Sequence, residues 1–177
     1  RYVVSFGDDF LETGASPVGY ARDFAHMSAA DEHGAKGRFV FAGPRLSLTG
    51  QNADEWMPIR PGSEAALALA MAAEIAGDSG AAGPYDSVLR SYDVRTASQA
   101  TGLSEDAIRD MAERFADGPS LAMGPGAGAH HRNATAANVA VMILNAVAGN
   151  VGRTVHVDGG PRSSSRPYAD METAIQA

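Results

Sequence analysis

The chain has 177 residues, of which 45% are hydrophobic and 20% are charged, and its formal net charge at pH 7 is −7. This length and composition are typical of one globular domain with a real core, and they argue against a disordered chain. An acidic balance without a basic cluster argues against a nucleic-acid partner, and the absence of cysteine excludes disulfides, thiolate metal sites and iron–sulfur ligation by these residues.

No stretch reaches the roughly 18 consecutive apolar residues of a membrane-spanning helix. The longest candidate, ATAANVAVMILNAVAG at residues 134–149, is predicted as a buried core helix instead. The sequence starts at Arg1, almost directly in a predicted strand, and stops without an obvious closing element. We therefore expect a piece of a longer polypeptide without a membrane span of its own.

The first part of the chain alternates strands and helices. Residues 2–6 predict a short buried strand, which the polar turn GDDFLET follows. Ser16 and Pro17 suit the first turn of a helix with one apolar face, formed by Tyr20, Phe24 and Met27. After two glycines, RFVFA predicts a second strand, and MPIR predicts a third short one.

The alternation continues in the second part. Ser63 is a predicted cap for an apolar helix that runs to about residue 76, and a short helix is predicted near residues 85–92. Ser104 caps a further helix with acidic residues in its first turn. PSLAMG predicts another strand, and residues 134–148 predict a helix that Gly149 closes.

This order of elements predicts an α/β fold with a doubly wound, mostly parallel sheet and helices on both faces, as in Rossmann-like domains. Ligands of such sheets lie beyond the carboxyl ends of the strands. Three predicted loops open there, at residues 7–9, 43–49 and 124–131. We therefore expect a polar cleft between these loops.

The third loop, GPGAGAHH, allows two interpretations. Gly124, Gly126 and Ala129 satisfy the dinucleotide fingerprint, whose glycines permit close approach of a pyrophosphate. An NAD site also needs an acidic ribose ligand roughly 20 residues later, and the stretch contains none, so this hypothesis is the weaker one. The adjacent His130 and His131 are a poor pair of metal ligands and are interpreted as a surface pair or as one ligand-facing histidine.

Other polar residues also remain open in interpretation. The guanidinium groups of Arg45 and Arg60 suit phosphate recognition, although arginine is the usual cation here because Lys36 is the only lysine. Glu64 either binds a ligand or favours the positive first turn of its helix. No G-x-S-x-G motif indicates a serine nucleophile. The residues alone predict a cleft for a phosphate-bearing ligand.

The stretch GRFVFAGPRLSLTGQNADEWMPIRPGSEAALALAMA resembles the molybdopterin oxidoreductase family of the dimethyl sulfoxide reductase type. That family carries Asp-Pro-Arg after a strand, then a Thr, an Ala-Asp and Arg-Pro-Gly-Thr-Asp-Ala-Ala-Leu. SFGDDFLET upstream is similar to its Gly-x-Asn turn. ANVAVMILNAVAGNVGR downstream is similar to its helix ending in Gly-Asn-x-Gly. The resemblance covers residues 3–153.

The resemblance implies an interior fragment of a large catalytic subunit. Residues 1–153 would hold molybdopterin guanine dinucleotide with molybdenum or tungsten, and residues 154–177 would lead towards a neighbouring domain. It implies no catalytic residue and no metal ligand in this stretch. By position, the residues facing the cofactor would be Gly7, Asp8, Asp9, Pro44, Arg45, Thr49, Pro61, Gly62 and Glu64, with Gly124 and Gly126 as further candidates.

The implied partners are the remaining domains of the same subunit, an iron–sulfur electron-transfer subunit and a membrane quinone-reactive subunit. Any iron–sulfur cluster would lie outside this chain, and the implied setting is a periplasmic or membrane-associated complex. The single tryptophan, Trp56, is predicted to pack beneath the second loop.

Three positions depart from the family motif. Gly43 replaces the Asp before Pro-Arg, an Asp at position 8 or 9 replaces the turn Asn, and Glu64 replaces the guanine-binding Asp. These changes also resemble the cofactor-free relatives in membrane quinol-oxidising assemblies such as alternative complex III. The alternative function is therefore a scaffold domain that has kept the fold and lost the cofactor.

Overall fold

The computed structural model describes residues 1–79, 82–126 and 132–156. Its centre is a four-stranded parallel sheet with the strand order β3-β2-β1-β4. The strands are β1 (Tyr2–Ser5), β2 (Arg38–Gly43), β3 (Glu55–Pro58) and β4 (Ser120–Met123). The helices are α1 (Pro17–Ser28), α2 (Leu48–Gln51), α3 (Glu64–Ser79), α4 (Asp86–Leu89), α5 (Val94–Thr101), α6 (Glu105–Ala116) and α7 (Ala134–Val147).

Alternating side chains give the sheet two different faces. Val4 lies beside Val40 on one side and Ala122 on the other, and all three are buried on the face covered by α3, α6 and α7. This face carries the main core, where Leu67 and Leu144 are fully buried. Most of the apolar burial that stabilises the domain therefore lies between this face and the helices that follow β3.

The opposite face has a smaller aromatic cluster. Phe39 and Phe41 point there from β2, and Phe24 of α1 meets Phe39 with ring centroids 5.5 Å apart. Phe10, in the loop after β1, lies 5.6 Å from Phe39. Because α1 connects β1 to β2 while the later helices lead back to β4, right-handed crossovers place helices on both faces. The predicted doubly wound α/β fold is confirmed.

The outer edge of β4 is closed by side chains of α7 and the turn that follows it. The buried amide of Asn145 accepts from Ala122 N at 3.0 Å and donates to Ala122 O at 2.9 Å, as a neighbouring strand would. Asn150 donates to Ser120 Oγ at 3.1 Å, and Thr154 donates to Ser120 O at 2.6 Å. These bonds satisfy edge groups that would otherwise need another strand.

Several local predictions differ from the structure. Helix α5 was not predicted; its cap is Asp93, whose carboxylate accepts from Thr96 N at 2.6 Å. Ser16 stands at the start of α1 as predicted, but its side chain makes no capping bond. Helix α7 is buried on one face only, since Val139 and Met142 are about half exposed.

Trp56 contacts the second loop as predicted, but it is not buried beneath it. The residue lies on β3, at the edge of the sheet as described, and 39% of it is exposed. Its Nε1 donates to Gly43 O at 3.1 Å, so the indole lies across the end of β2 rather than in the core. The residues of β3 alternate between half-buried and exposed, so the aromatic side chain of Trp56 contacts solvent at this edge.

Candidate functional site

All four parallel strands end at the same edge of the sheet. The loops after β1, β2 and β4 meet there as predicted, and a fourth loop, residues 59–63, joins them between β3 and α3. Strand β1 lies between β2 and β4. From β1 the chain continues to β2 and β3 on one side of the sheet, and it later returns to add β4 on the other side of β1. This is the position at which doubly wound sheets form ligand crevices.

A cavity of about 150 Å³ opens between these loops. It is smaller than the roughly 300–1,000 Å³ of a pocket that encloses a whole drug-sized ligand, so it suits one end of an extended molecule. The predicted site residues that line it are Gly7, Asp9, Pro44, Arg45, Pro61, Gly62 and Glu64. Phe6, Phe41 and Pro125 supply the rest of the wall.

An ion pair crosses the cavity between two of these loops. Arg45 Nη2 donates to Asp9 Oδ2 at 2.8 Å; the Asp9 side chain is 10% exposed and the Arg45 side chain 72%. The other carboxylate oxygen, Oδ1, is buried and has no hydrogen-bond partner among the described residues. Since an unsatisfied buried acceptor costs free energy, this oxygen is a place where a ligand N–H would be stabilising.

Glu64 is the first residue of α3 and also lines the cavity. It is 4% exposed, and its Oε1 accepts from Gly62 N at 3.4 Å. A carboxylate at the first turn of a 16-residue helix lies at the positive end of the helix dipole. Gly62 has φ +80°, a conformation that favours glycine, and its carbonyl accepts from Asn133 Nδ2 at 3.2 Å. The turn that carries Glu64 is thereby fixed to the start of α7.

Asp8 points away from this cavity, towards the turn after β4. A Cβ built on Gly126 would overlap Asp8 Oδ1, so the carboxylate lies directly against that glycine. Burial, and then the neighbouring charge of Asp9, raise the pKa of the Asp8 carboxyl above its ordinary value. The same carboxylate lines a second cavity of about 280 Å³, which Phe10 and Tyr20 also line.

Thr49 does not line the cavity. It is fully buried, and its Oγ1 accepts from Leu11 N at 3.2 Å. Glu12, which the sequence did not single out, accepts from Leu48 N at 2.7 Å. These two contacts fix the loop after β1 against α2 and so hold Asp9 at the cavity. Only the three-dimensional structure brings these positions together, since they are separated by 36 to 38 residues.

Gly124 and Arg60 have packing roles in the structure. A Cβ on Gly124 would overlap Asn138 Oδ1, so this glycine permits close approach of β4 and α7. The Arg60 guanidinium donates to the carbonyl oxygens of Gln99 and Ala100 at the end of α5, where a cation also complements the helix dipole. His130 and His131 lie outside the described residues.

The part of the chain that the structure describes has neither a cluster of metal-ligating side chains nor a membrane-spanning helix. It holds no cluster of three or more histidine, aspartate or glutamate side chains arranged as metal ligands. Among the same residues, no helix is both long enough and apolar enough to cross a membrane.

The fold and the cavity define a doubly wound α/β domain with a ligand cleft at the carboxyl edge of its sheet. Its backbone superposes on acetylene hydratase from Pelobacter acetylenicus with a TM-score of 0.66 and 22% identity, over 98% of this chain and 24% of that protein. At this identity the comparison establishes the fold.

Sequence comparison identifies relatives. The molybdopterin-binding-like subunit of menaquinone reductase from Nitratidesulfovibrio vulgaris is 33% identical over 175 residues, which is 92% of this chain and 23% of that protein. The molybdopterin-containing subunit PhsA of thiosulfate reductase from Salmonella typhimurium is 44% identical over 71 residues, 40% of this chain and 8% of that protein. No family model matches.

The chain belongs to the molybdopterin oxidoreductase family, as the motifs between Gly43 and Leu67 predicted. It spans about a quarter of the length of the menaquinone reductase subunit and of acetylene hydratase.

Proposed function

We propose that this chain holds the guanine end of a molybdopterin guanine dinucleotide in the catalytic subunit of a molybdenum- or tungsten-dependent oxidoreductase. The observation that carries the proposal is the buried Asp9 carboxylate, whose Oδ1 has no partner among the described residues. Guanine presents ring N–H and amino donors, and either can donate to Oδ1 while Oδ2 keeps its bond to Arg45.

Glu64 supplies a second carboxylate to the lining of the same cavity. Relative to the family's Asp, it keeps the acceptor group and adds one methylene. Pro44, Pro61 and Phe41 line the cavity with flat apolar surface on which a base could pack. The N–H donors of guanine thus fit the carboxylates of the lining, and its ring fits the apolar residues.

The cofactor would supply the redox chemistry, and the residues of this chain would bind and orient its nucleotide. Residues 1–153 would form the nucleotide-holding domain, and residues 154–177 would lead towards a neighbouring domain. Iron–sulfur clusters would lie elsewhere, since this chain has no cysteine. The names of the menaquinone and thiosulfate reductase relatives support a multi-subunit reductase. We propose that such a complex also contains an iron–sulfur electron-transfer subunit and a membrane quinone-reactive subunit, and that it is periplasmic or membrane-associated.

The test measures the molybdenum, tungsten, pterin and GMP that are released from the purified intact subunit. We expect stoichiometric GMP from the wild type. The Glu64→Ala variant should retain about tenfold less GMP after dialysis, since the substitution removes a charge-assisted hydrogen-bond acceptor. Glu113→Ala is the control, because Glu113 is exposed on α6. A wild-type subunit without pterin, GMP and metal would refute the proposal.

A second function is favoured by a different observation, the position of Asp8 against Gly126. A pyrophosphate bound at this turn would be repelled by the negative charge of the Asp8 carboxylate. Arg45 is the only cation among the described residues that line the cavity, and Asp9 already engages it. We propose as the alternative a cofactor-free scaffold domain of a quinol-oxidising complex. The name of the menaquinone reductase relative, molybdopterin-binding-like, is consistent with it.

The two functions give opposite results in one experiment. A scaffold subunit contains neither pterin nor GMP, and quinol oxidation by the intact complex should be the same in the wild type and in Glu64→Ala. Release of a bound guanine nucleotide by Glu64→Ala or Arg45→Ala would refute the scaffold function.

A further inference from the structure

Helix α7 has a mostly apolar surface, on which Thr135 and Asn138 are the exposed polar residues. The sequence from Asn133 to Asn150 contains no charged residue. One face of the helix, with Ala137, Val141 and Leu144, is buried against the rest of the domain. A surface helix normally carries charged and polar residues along its outer face, so an uncharged helix with exposed apolar side chains is unusual there.

The outer face of α7 forms a second apolar stripe. Val139 is 53% exposed and Met142 is 50% exposed, and together with Ile143 and Ala146 they recur at i, i+3, i+4 and i+7. Together with Tyr85, Asn138 and Val151, these four residues line a groove of about 380 Å³, here called the α7 groove. The cavity between the strand-end loops lies at another part of the molecule and shares no lining residue with it.

Helix α6 shows what a solvent-facing helix of this domain looks like. Its outer face carries ion pairs along the helix, with Arg109 2.8 Å from Glu105 and Arg114 2.9 Å from Asp110. The α7 groove has no charged residue among its described lining. Permanent interfaces are apolar and depleted of charged residues, whereas transient interfaces are more polar. The composition of the α7 groove therefore fits a partner that stays bound.

We propose that the α7 groove is a permanent docking surface for another domain of the same polypeptide. The chain matches the menaquinone reductase subunit along 92% of its own length but spans only 23% of that protein, so most of such a subunit lies outside these residues. Val151 lines the groove and lies close in sequence to residue 156, where the described part of the chain ends. Val155 forms a bridge with Val151, so the described part of the chain ends beside the groove.

This inference rests on the proposed membership of a larger subunit and not on the presence of a cofactor. The test introduces the photoreactive amino acid p-benzoylphenylalanine in place of Met142, and separately in place of Val139, in the intact subunit. After illumination, cross-linked peptides are identified by mass spectrometry. The same replacement at Val18, which is 85% exposed on α1, is the control.

We expect both α7 positions to link to a peptide of the same polypeptide outside residues 1–177, in a product that migrates as a single subunit, and the Val18 position to give no such peptide. A link to a different subunit or to a second copy would overturn the proposal. So would the absence of any link from both positions in a folded subunit. These outcomes do not depend on GMP content, so the result is separable from a failure of the proposed cofactor function.

Discussion

Arg45 and Asp9 are joined across the cleft by a 2.8 Å ion pair in which the acid is buried and the base is mostly exposed. The two residues are 36 positions apart and belong to the loops after β1 and β2. The arginine therefore stabilises a charge that the fold has removed from water, and it links two neighbouring loops of the site. Because only the acid is buried, replacing the arginine leaves a buried charge without its partner.

Arg45→Ala should lower the free energy of unfolding by about 1–2 kcal/mol, because it leaves the Asp9 carboxylate without its cation. The effect should be smaller than the roughly 3–5 kcal/mol of a fully buried pair, since 72% of the Arg45 side chain is exposed. Urea denaturation followed by circular dichroism measures it. The control is Arg22→Ala, whose partner Asp23 lies 3.9 Å away at the exposed surface. Equal losses in the two variants would contradict a stabilising role for the Arg45–Asp9 pair.

Asp8 gives a prediction on pH dependence. Burial and the charge of Asp9 raise the pKa of its carboxyl in the folded state, so the folded state binds this proton more tightly than the unfolded state. Its contribution to stability is therefore least favourable at neutral pH, where both states are ionised, and it improves as the pH falls through the folded-state pKa.

Asp8→Asn should accordingly stabilise the protein at pH 7, by less than about 1 kcal/mol because the carboxyl is partly solvated. The advantage should shrink on acidification, which urea denaturation at a series of pH values would measure. Asp23→Asn, at an exposed site on α1, should change little at any pH. An advantage that grows as the pH falls would show that the sign is wrong.

Gly126→Ala should destabilise the protein for two reasons that can be separated. The residue has φ +54°, a conformation that costs other residues about 1–2 kcal/mol, and its new Cβ would overlap Asp8 Oδ1. In a double-mutant cycle with Asp8→Ala, Gly126→Ala should therefore cost less in the Asp8→Ala background than in the wild type. Gly118→Ala is the control, since a Cβ added there would have nothing within 4 Å and its φ is not positive. Strict additivity would exclude the contact.

The sequence predicted the sheet and the loops because strand periodicity, caps and glycines are local signals. Ser104 is an example: its hydroxyl accepts from Ala107 N at the start of α6, as its position before two acidic residues indicated. The exposure of Trp56 could not be read locally, since it depends on β3 lying at the edge of the sheet as described.

The same distinction applies to the site. The resemblance selected the loops that meet, and seven of the eleven predicted residues line one cavity. It did not separate Asp9, which lines that cavity, from Asp8, which turns to Gly126. Nor did it place Thr49 behind the cavity wall, because its contact with Leu11 depends on how α2 packs against a loop 38 residues earlier.

Asn145→Ala should be among the most destabilising substitutions in the domain, with an expected loss of about 2–4 kcal/mol. The side chain is 1% exposed, and its removal leaves both the N–H and the C=O of Ala122 without a partner in a buried position; each such group costs about 1–3 kcal/mol. Urea denaturation measures the loss, and amide hydrogen exchange at Ala122 should become faster.

Asn145→Asp separates the hydrogen bonds from the shape of the side chain. It keeps the volume but replaces the amide that donates to Ala122 O and to Val141 O with a second acceptor, so it should cost at least as much as alanine at neutral pH. Asn138→Ala on the same helix is the matched control, because Asn138 is exposed and bonds only to Ala134 O among the described residues. If Asn145→Asp were tolerated as well as Asn138→Ala, the amide of Asn145 would not be what closes the edge of β4.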